Sequence, residues 1–269
     1  MRFEKWQALG NDYVIVEHDA LPFALSQERV RALCAPHTGV GADGVRELSR
    51  SDEPGFVASL RIFNPDGSEA ELSGNGAREA ILYLRRAGWT DQRQFSIRTA
   101  AGELRPTVLS DTTCRVDMGR ARDEGTGEIS GFAYQQVNVG NPQCSIRVES
   151  EADLAAIDLA HLGPPIETDA RFPHRTNVSF WTDLAADRLR ARIFERGVGE
   201  TASSGTGACG AAVAHVLRGG DSPVTVVLDG GELEVDIEED LHIDLTGWAE
   251  PVYAGELSPE LLARLASLP

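Results

Sequence analysis

The sequence is short of basic residues. It has 25 Lys and Arg residues against 42 Asp and Glu residues, a formal net charge of −17 over 269 residues. Nucleic acids and anionic membrane surfaces both attract basic patches. The deficit therefore argues against nucleic acid or membrane as a partner. It leaves room for a small zwitterionic or anionic ligand that is bound by local groups.

Long apolar runs and clustered cysteines are also missing. No apolar run approaches the roughly 20 residues that a helix needs to cross a bilayer. The four cysteines, Cys34, Cys114, Cys144 and Cys209, stand far apart and show no metal-ligand spacing. Together with the lack of a signal-peptide pattern, this predicts free thiols, no metal site and a soluble, cytoplasmic protein.

What the sequence does contain is a repeat. Residues 69–77 and 200–208 both fit E-x-x-x-S-G-[NT]-G-A, at an offset of 200 − 69 = 131 residues. Three shorter matches recur in the same order at nearly the same offset. They are the R-I-F triplets at 61–63 and 192–194, the G-N pairs at 10–11 and 140–141, and the G-E-L triplets at 102–104 and 231–233. The four matches together indicate a duplicated unit of about half the chain.

The residue pattern predicts an α+β fold with two pseudo-symmetric lobes, each a mostly antiparallel sheet wrapped around a central helix. In the second lobe we expect one helix at 151–162, a strand at 190–194, a loop at 195–204 and a buried helix at 205–217. The boundary between the lobes is expected near residue 119. A duplicated unit tends to pack about a pseudo-twofold axis, which would bring both S-G-x-G-A turns to one cleft.

The repeated turn has a structural and a functional interpretation. Ser73 and Ser204 can cap the orphan amides of the helices that follow, while the glycines permit a tight turn. Alternatively, exposed amides and the helix dipole form an anion site suited to a carboxylate. Two such turns facing each other would hold one amino acid with a side chain on each face of its α-carbon. A two-base proton exchange requires that geometry.

A competing motif is the G-x-G-x-x-G at 205–210, which matches the dinucleotide-binding fingerprint. That fingerprint needs its glycines directly after a strand of a parallel βαβ unit. Here the expected loop at 195–204 intervenes, and the first copy of the motif, at 74–79, lacks the third glycine. A nicotinamide-dependent dehydrogenase therefore stays a remote alternative.

At these motifs the chain resembles diaminopimelate epimerases, which are cofactor-independent amino-acid epimerases. The shared motifs run nearly end to end. They are G-N-D at 10–12, G-V-G-A-D-G at 39–44, N-P-D-G-S-E at 64–69, G-N-G-A-R at 74–78, G-N-P at 140–142, R-T-N at 175–177, E-R-G at 195–197, G-E-T at 199–201 and G-T-G-A at 205–208. The resemblance implies a homodimer, no cofactor, a small amino-acid substrate and a C-terminal segment that returns to the first lobe. The lobes would then comprise 1–118 with about 249–269, and 119–248.

The resemblance also implies a set of substrate-binding residues. They are Asn11, Asn64, Asn141, Asn177, Glu195 and Arg196, with the backbone amides of Gly74, Asn75, Gly205 and Thr206. In diaminopimelate, Arg196 and the asparagines would read the end that does not react, and Arg196 suits a bidentate carboxylate contact. The helix-start amides would hold the reacting carboxylate. For Asn11 and Asn141, turn formation is the alternative role.

The catalytic positions depart from the family pattern. The family has cysteines where this chain has Ser73 and Ser204, and a histidine where it has Gln143, while Glu195 is retained as a catalytic candidate. A thiol titrates near about 8.5 and a hydroxyl near about 15.7, so forming the base costs on the order of 10 kcal/mol more. Three interpretations stay open. They are an epimerase of LL- and meso-diaminopimelate with serine in place of cysteine, a divergent isomerase or dehydratase of the same fold, and a non-catalytic amino-acid binding protein.

Overall fold

A computed structural model describes residues 1–70 and 74–269. By their internal contacts these residues form two compact units, Met1–Val116 with Trp248–Pro269, and Asp117–Gly247. Within the described part of the chain, no helix is long and apolar enough to span a bilayer.

The secondary structure is dominated by strands. In chain order the strands are β1 Arg2–Ala8, β2 Asn11–Glu17, β3 Val45–Arg50, β4 Phe56–Phe63, β5 Glu69–Ala70, β6 Ser96–Thr99, β7 Gly102–Leu104, β8 Pro106–Val108, β9 Thr113–Arg120, β10 Arg122–Ile129, β11 Phe132–Asn138, β12 Pro142–Arg147, β13 Asn177–Ala185, β14 Arg188–Glu195, β15 Gly199–Thr201, β16 Val224–Leu228, β17 Gly231–Ile237, β18 His242–Trp248 and β19 Glu250–Glu256. The helices are α1 Gln27–Cys34, α2 Gly74–Arg86, α3 Glu151–Ala156, α4 Leu159–Glu167, α5 Gly205–Leu217 and α6 Pro259–Ala266. The mixed α+β fold predicted from the sequence is confirmed.

The two units repeat one topology. In the first unit the strand order is β19-β1-β2-β3-β4-β6-β7, with β5 added beside β4. In the second unit β10-β11-β12-β13-β14-β16-β17 follows the same order, with β15 beside β14. Within the described residues, parallel pairs occur at matching places, β2 with β3 and β4 with β6 in the first unit, and β12 with β13 and β14 with β16 in the second. The offset repeats in the sequence therefore reflect a duplicated structural unit.

The duplication extends to the register of single residues. Glu69 of β5 lies opposite Phe63 of β4, and Glu200 of β15 lies opposite Phe194 of β14. Both pairs are related by the 131-residue offset of the sequence repeat. The R-I-F motif and the glutamate that leads the second motif therefore have the same spacing in both units, because in each unit they lie on two strands that pair with each other.

The repeated arginine and glutamate form the same ion pair in both units. Arg61 Nε donates to Glu69 Oε1 at 3.0 Å, and Arg192 Nε donates to Glu200 Oε1 at 2.9 Å. Each guanidinium makes a second hydrogen bond to the same carboxylate. The leading glutamate of the repeated motif is therefore a structural residue that fixes the short strand ahead of the central helix.

The central helix of the second unit begins where the sequence predicted. Ser204 is the N-cap of α5, and its Oγ accepts the backbone N–H of Gly207 at 3.2 Å. Nearly every α5 residue from Gly205 to His215 is buried, as its apolar composition predicted. The predicted cap of the first unit, Ser73, lies outside the described residues, and α2 is described from Gly74 onward.

Two local predictions were wrong. The single helix expected at 151–162 is two helices. Ile157 is extended and ends α3, and Asp158 caps α4 by accepting the N–H of His161. The loop expected at 195–204 contains β15, which Arg192 holds through Glu200.

Apolar clusters form the core of each unit, and the cysteines belong to that buried interior. All four cysteines are buried, including Cys209 on α5, and none of them forms a disulfide within the part of the chain that the structure describes. Burial raises the pKa of Cys34, Cys114 and Cys144 to about 12 in each case. At neutral pH these three thiols are protonated packing groups.

Candidate active site

A carboxylate and two hydroxyls meet at the start of α5. Glu195 ends β14, Thr201 ends β15, and Ser204 precedes the helix. Ser204 Oγ donates to Glu195 Oε2 at 2.9 Å, and Thr201 Oγ1 donates to Glu195 Oε1 at 2.8 Å. The antiparallel pairing of β14 with β15 brings these ends together, so both carboxylate oxygens are held by hydroxyl donors.

Burial raises the pKa of Glu195 above its usual 4.5, while the hydrogen bonds from Thr201 and Ser204 oppose that rise. A carboxylate with a raised pKa is a stronger base than an exposed one. Ser204 is only 2% exposed, which limits competing hydrogen bonds from water. The arrangement can pass a proton between Ser204 Oγ and Glu195.

Beside this group lies a hydrogen-bonded chain of polar side chains. Asn141, just ahead of β12, donates through Nδ2 to Thr206 Oγ1 at 3.2 Å. Gln143 Nε2 donates to Asn141 Oδ1 at 2.5 Å, and Gln143 is fully buried. The backbone amides of Gly205 and Thr206 belong to the first turn of α5, whose amides have no intrahelical acceptor.

The predicted residues Asn177 and Arg196 also lie together in the second unit. Arg196 N donates to Asn177 Oδ1 at 2.8 Å, and Arg196 Nη1 donates to the carbonyl of His174 at 2.9 Å. The buried Glu167 supports the same turn, since its Oε1 accepts the N–H of Gly197 at 2.7 Å. The backbone of the arginine loop is thus fixed, while the Arg196 side chain is exposed.

The first unit places Asn11 and Asn75 together. Asn75 Nδ2 donates to Asn11 Oδ1 at 3.4 Å, and Tyr13 OH donates to the same oxygen at 2.5 Å. Asn11 Nδ2 donates to Asp43 Oδ2 at 2.8 Å. Arg78 Nη2 in turn donates to Asn75 Oδ1 at 2.7 Å, and Arg78 Nη1 donates to the carbonyl of Gly74 at 3.1 Å.

Asn64 forms hydrogen bonds within its own turn. It follows β4, is exposed, and donates through Nδ2 to Ser68 Oγ at 3.0 Å. Its backbone N–H also donates to the carbonyl of Ser68 at 2.9 Å. In this structure the side chain therefore has a turn-forming role.

Three buried charged groups lie near the start of α2. Arg46 is 1% exposed and Arg78 and Glu79 are 0% exposed. The Arg46 guanidinium lies 3.4 Å from the ring centroid of Tyr13, a cation–π contact. Desolvation raises the pKa of Glu79 well above 4.5, against the lowering effect of Arg46 and Arg78. Neither Glu79 oxygen has a hydrogen-bond partner within the described ranges.

The second glycine of each S-G-x-G-A motif is closely packed against a side chain of the sheet. A Cβ on Gly76 would lie 2.0 Å from Arg46 Nε, and a Cβ on Gly207 would lie 2.7 Å from two carbons of Ile193. A side chain at either position would therefore force the buried Arg46 or Ile193 side chain to move.

One group of potential metal ligands lies away from these residues. Asp117, His242 and Asp244 present ligand atoms within 4.8 Å of one another. His242 Nε2 is 3.2 Å from Asp117 Oδ1, so a direct polar contact between these two side chains accounts for part of this proximity.

Within the second unit, the structure groups Ser204 with Glu195, Asn141 with Thr206, and Asn177 with Arg196. Sequence reasoning missed the side chains that hold the predicted residues of both units in place. They are Thr201 and Glu167 in the second unit, and Asp43 and Tyr13, which hold Asn11, in the first. Tyr13 had a usable signal, because residues i and i+2 of a strand share one face.

Comparison with known proteins identifies the family. The family model described as Diaminopimelate epimerase matches residues 3–123 and 135–252. A diaminopimelate epimerase from Synechococcus sp. (strain JA-3-3Ab) is 39% identical over 95% of this chain and 97% of its own length. One from Pelotomaculum thermopropionicum is also 39% identical, over 95% of this chain and 98% of its own.

The fold also matches a solved structure. A protein described as a predicted epimerase from Pseudomonas aeruginosa has a TM-score of 0.72 and 18% identity, covering 95% of this chain and 98% of that one. At this identity the likeness concerns the fold alone.

Proposed function

Because this chain belongs to the diaminopimelate epimerase family, whose members are cofactor-independent isomerases, we propose that it interconverts LL- and meso-diaminopimelate by exchange of the α-proton. The observation that carries the proposal is the hydrogen bond of 2.9 Å from Ser204 Oγ to Glu195 Oε2. Through this hydrogen bond, Glu195 supplies a base at the position where serine replaces the thiol of the family pattern.

On this side of the substrate, Ser204 acts as a proton relay. As Ser204 Oγ accepts the α-proton, its own hydroxyl proton passes to Glu195 Oε2, which leaves a neutral carboxylic acid and a substrate carbanion. The N–H of Gly207 donates to Ser204 Oγ and holds it in place. A free alkoxide is never formed, so the cost of ionising serine is avoided.

The relay is a weaker base than a thiolate. Ordinary pKa values of about 8.5 for cysteine and about 4.3 for glutamate differ by roughly four units, or about 6 kcal/mol of proton affinity. The raised pKa of Glu195 narrows that gap. We therefore expect slow turnover, accelerated by restoring cysteine.

Epimerisation needs a second acid–base group on the opposite face of the α-carbon. We assign that role to Ser73, the repeat equivalent of Ser204. Ser73 lies outside the described residues, so the assignment rests on the sequence repeat.

The proposal assigns the predicted binding residues to the two ends of the substrate. The amides of Gly74, Asn75, Gly205 and Thr206 would hold the reacting carboxylate, since helix-start amides suit an anion. The exposed Arg196 side chain, with Asn177 and Asn141, would bind the distal amino-acid group. Asn11 and Asn64 complete the binding set.

We further propose a cytoplasmic homodimer. None of the four cysteines forms a disulfide among the described residues, which fits a reducing compartment. Light scattering of the purified protein tests the dimer, and fractionation of the cell tests the location. A monomer, or a protein found outside the cytoplasm, would contradict these two points.

The test of function is the conversion of LL- to meso-diaminopimelate, followed by chiral chromatography. We expect slow conversion by the natural sequence, faster conversion by Ser73→Cys/Ser204→Cys, and none by Glu195→Gln. Calorimetric binding of diaminopimelate serves as the control for an intact site. Binding without conversion by either the natural or the double-cysteine form would favour the amino-acid binding protein instead.

A further inference from the structure

The asparagines Asn11 and Asn141 each have a buried side chain two residues further along the chain. Asn11 and Tyr13 both lie on β2, whereas Asn141 lies just ahead of β12 and Gln143 lies on it. Both pairs recur at the 130-residue offset of the duplicated unit. Alternate residues of a strand face the same way, so Tyr13 lies beside Asn11, and a hydrogen bond places Gln143 beside Asn141.

In both units the partner donates a hydrogen bond to the asparagine oxygen. Tyr13 OH lies 2.5 Å from Asn11 Oδ1, and Gln143 Nε2 lies 2.5 Å from Asn141 Oδ1. Tyr13 is 7% exposed and Gln143 is 0% exposed. These donors therefore approach from the interior of each unit.

The orientation of the Asn11 amide is set independently by Asp43. A carboxylate only accepts hydrogen bonds, so the group of Asn11 that lies 2.8 Å from Asp43 Oδ2 is its NH₂. The opposite atom, Oδ1, receives hydrogen bonds from both Tyr13 and Asn75. A carbonyl oxygen has two lone pairs, so the acceptor capacity of Asn11 is filled.

What Asn11 still offers is a donor. One of its two N–H groups binds Asp43, and the other has no partner among the residues that the structure describes. Asn141 shares part of this arrangement, because its Oδ1 accepts a hydrogen bond from Gln143 and one of its N–H groups donates to Thr206. An N–H donor matches a carboxylate oxygen and repels an ammonium group.

From this geometry we propose that Tyr13 and Gln143 are matched positioning residues. Each binds the oxygen of its asparagine, so that Asn11 and Asn141 present N–H donors and select a ligand carboxylate. The assignment of a ligand rests on the proposed function, whereas the orientation of the amides does not. At position 143, where the family pattern has histidine, glutamine serves as a donor and not as a base.

The first arm of the test needs no ligand. In ¹⁵N-labelled protein, Tyr13→Phe is expected to shift the side-chain NH₂ resonances of Asn11 and leave those of Asn141 in place. Gln143→Leu is expected to do the reverse. Tyr83→Phe is the matched control, because Tyr83 is 8% exposed and donates to Glu17 at 2.7 Å. Unchanged Asn11 resonances in Tyr13→Phe would overturn the positioning role.

The second arm measures binding of diaminopimelate and of lysine, which lacks the carboxylate at the end that does not react. We expect Tyr13→Phe to weaken diaminopimelate about fivefold, the effect of one hydrogen bond, and to leave lysine unchanged. Equal weakening of both ligands would overturn the selection of a carboxylate. If the natural protein binds neither ligand while the resonances move as expected, the proposed function fails and the positioning role stands.

Conservative replacement at position 143 separates positioning from packing. Gln143→His keeps an N–H donor for Asn141, so we expect affinity for diaminopimelate near that of the natural protein, whereas Gln143→Leu loses it about fivefold. Thermal unfolding of both variants controls for misfolding. A loss of the same size in both variants would refute the donor role.

Discussion

Replacing the buried Glu79 with glutamine should change how stability depends on pH. Glu79 is fully buried on α2, and desolvation raises its pKa well above 4.5 despite Arg46 and Arg78. In the unfolded chain the carboxyl ionises near 4.5, while in the folded protein its pKa is well above that value. Between those two pKa values the folded state binds one more proton, so stability falls as pH rises.

The size of the effect follows from one proton. The free energy of unfolding of the natural protein should fall relative to Glu79→Gln by about 1.4 kcal/mol per pH unit above 4.5, until the folded pKa is reached. Glutamine is close in shape to the protonated acid and cannot ionise, so this slope disappears in the variant.

Urea unfolding at a series of pH values, from about pH 5 to about pH 7, measures that difference. We expect the free energy of unfolding of Glu79→Gln, relative to that of the natural protein, to increase steadily as pH rises. A variant that is less stable by a constant amount at every pH would refute the reasoning. It would mean that Glu79 is ionised in the folded state and stabilised by Arg46 and Arg78.

Three further predictions concern the second unit. Gly207→Ala should lower the free energy of unfolding by about 1–3 kcal/mol, because the added Cβ would lie 2.7 Å from Ile193. Unchanged stability in urea unfolding would contradict this packing. Arg192→Met should lower the free energy of unfolding by about 1–3 kcal/mol in the same assay, because Glu200 loses its ion pair and the carbonyls of Leu154 and Ile157 lose a donor. A loss no larger than that of an exposed ion pair would contradict this prediction. The exchange rate should fall as pH drops through the pKa of Glu195, which lies above 4.5, and a rate independent of pH in that region would exclude Glu195 as the base.

The sequence predicted best where one local signal determines the structure. Ser204 and the glycines after it predicted the start of α5, and the 131-residue offset predicted a repeated topology. Prediction failed where tertiary pairing decides. The strand β15 exists because Arg192 binds Glu200 across the turn, and the break between α3 and α4 depends on Asp158 capping a new helix.

The site was predictable only in part for the same reason. Family motifs indicated Glu195, Asn141 and Asn177, all of which the structure places beside other predicted residues. The side chains that orient them come from distant segments. Asp43 lies 32 residues from Asn11, and Glu167 lies 30 residues from Gly197, separations that no local pattern reveals.

The most direct test of the proposed chemistry is deuterium incorporation at the α-carbon of diaminopimelate in D₂O, followed by mass spectrometry. The Ser204–Glu195 relay predicts that the natural sequence incorporates one deuterium per exchanged centre and that Glu195→Gln incorporates none. Equal incorporation by both proteins, or none by the natural sequence when diaminopimelate is bound, would contradict it.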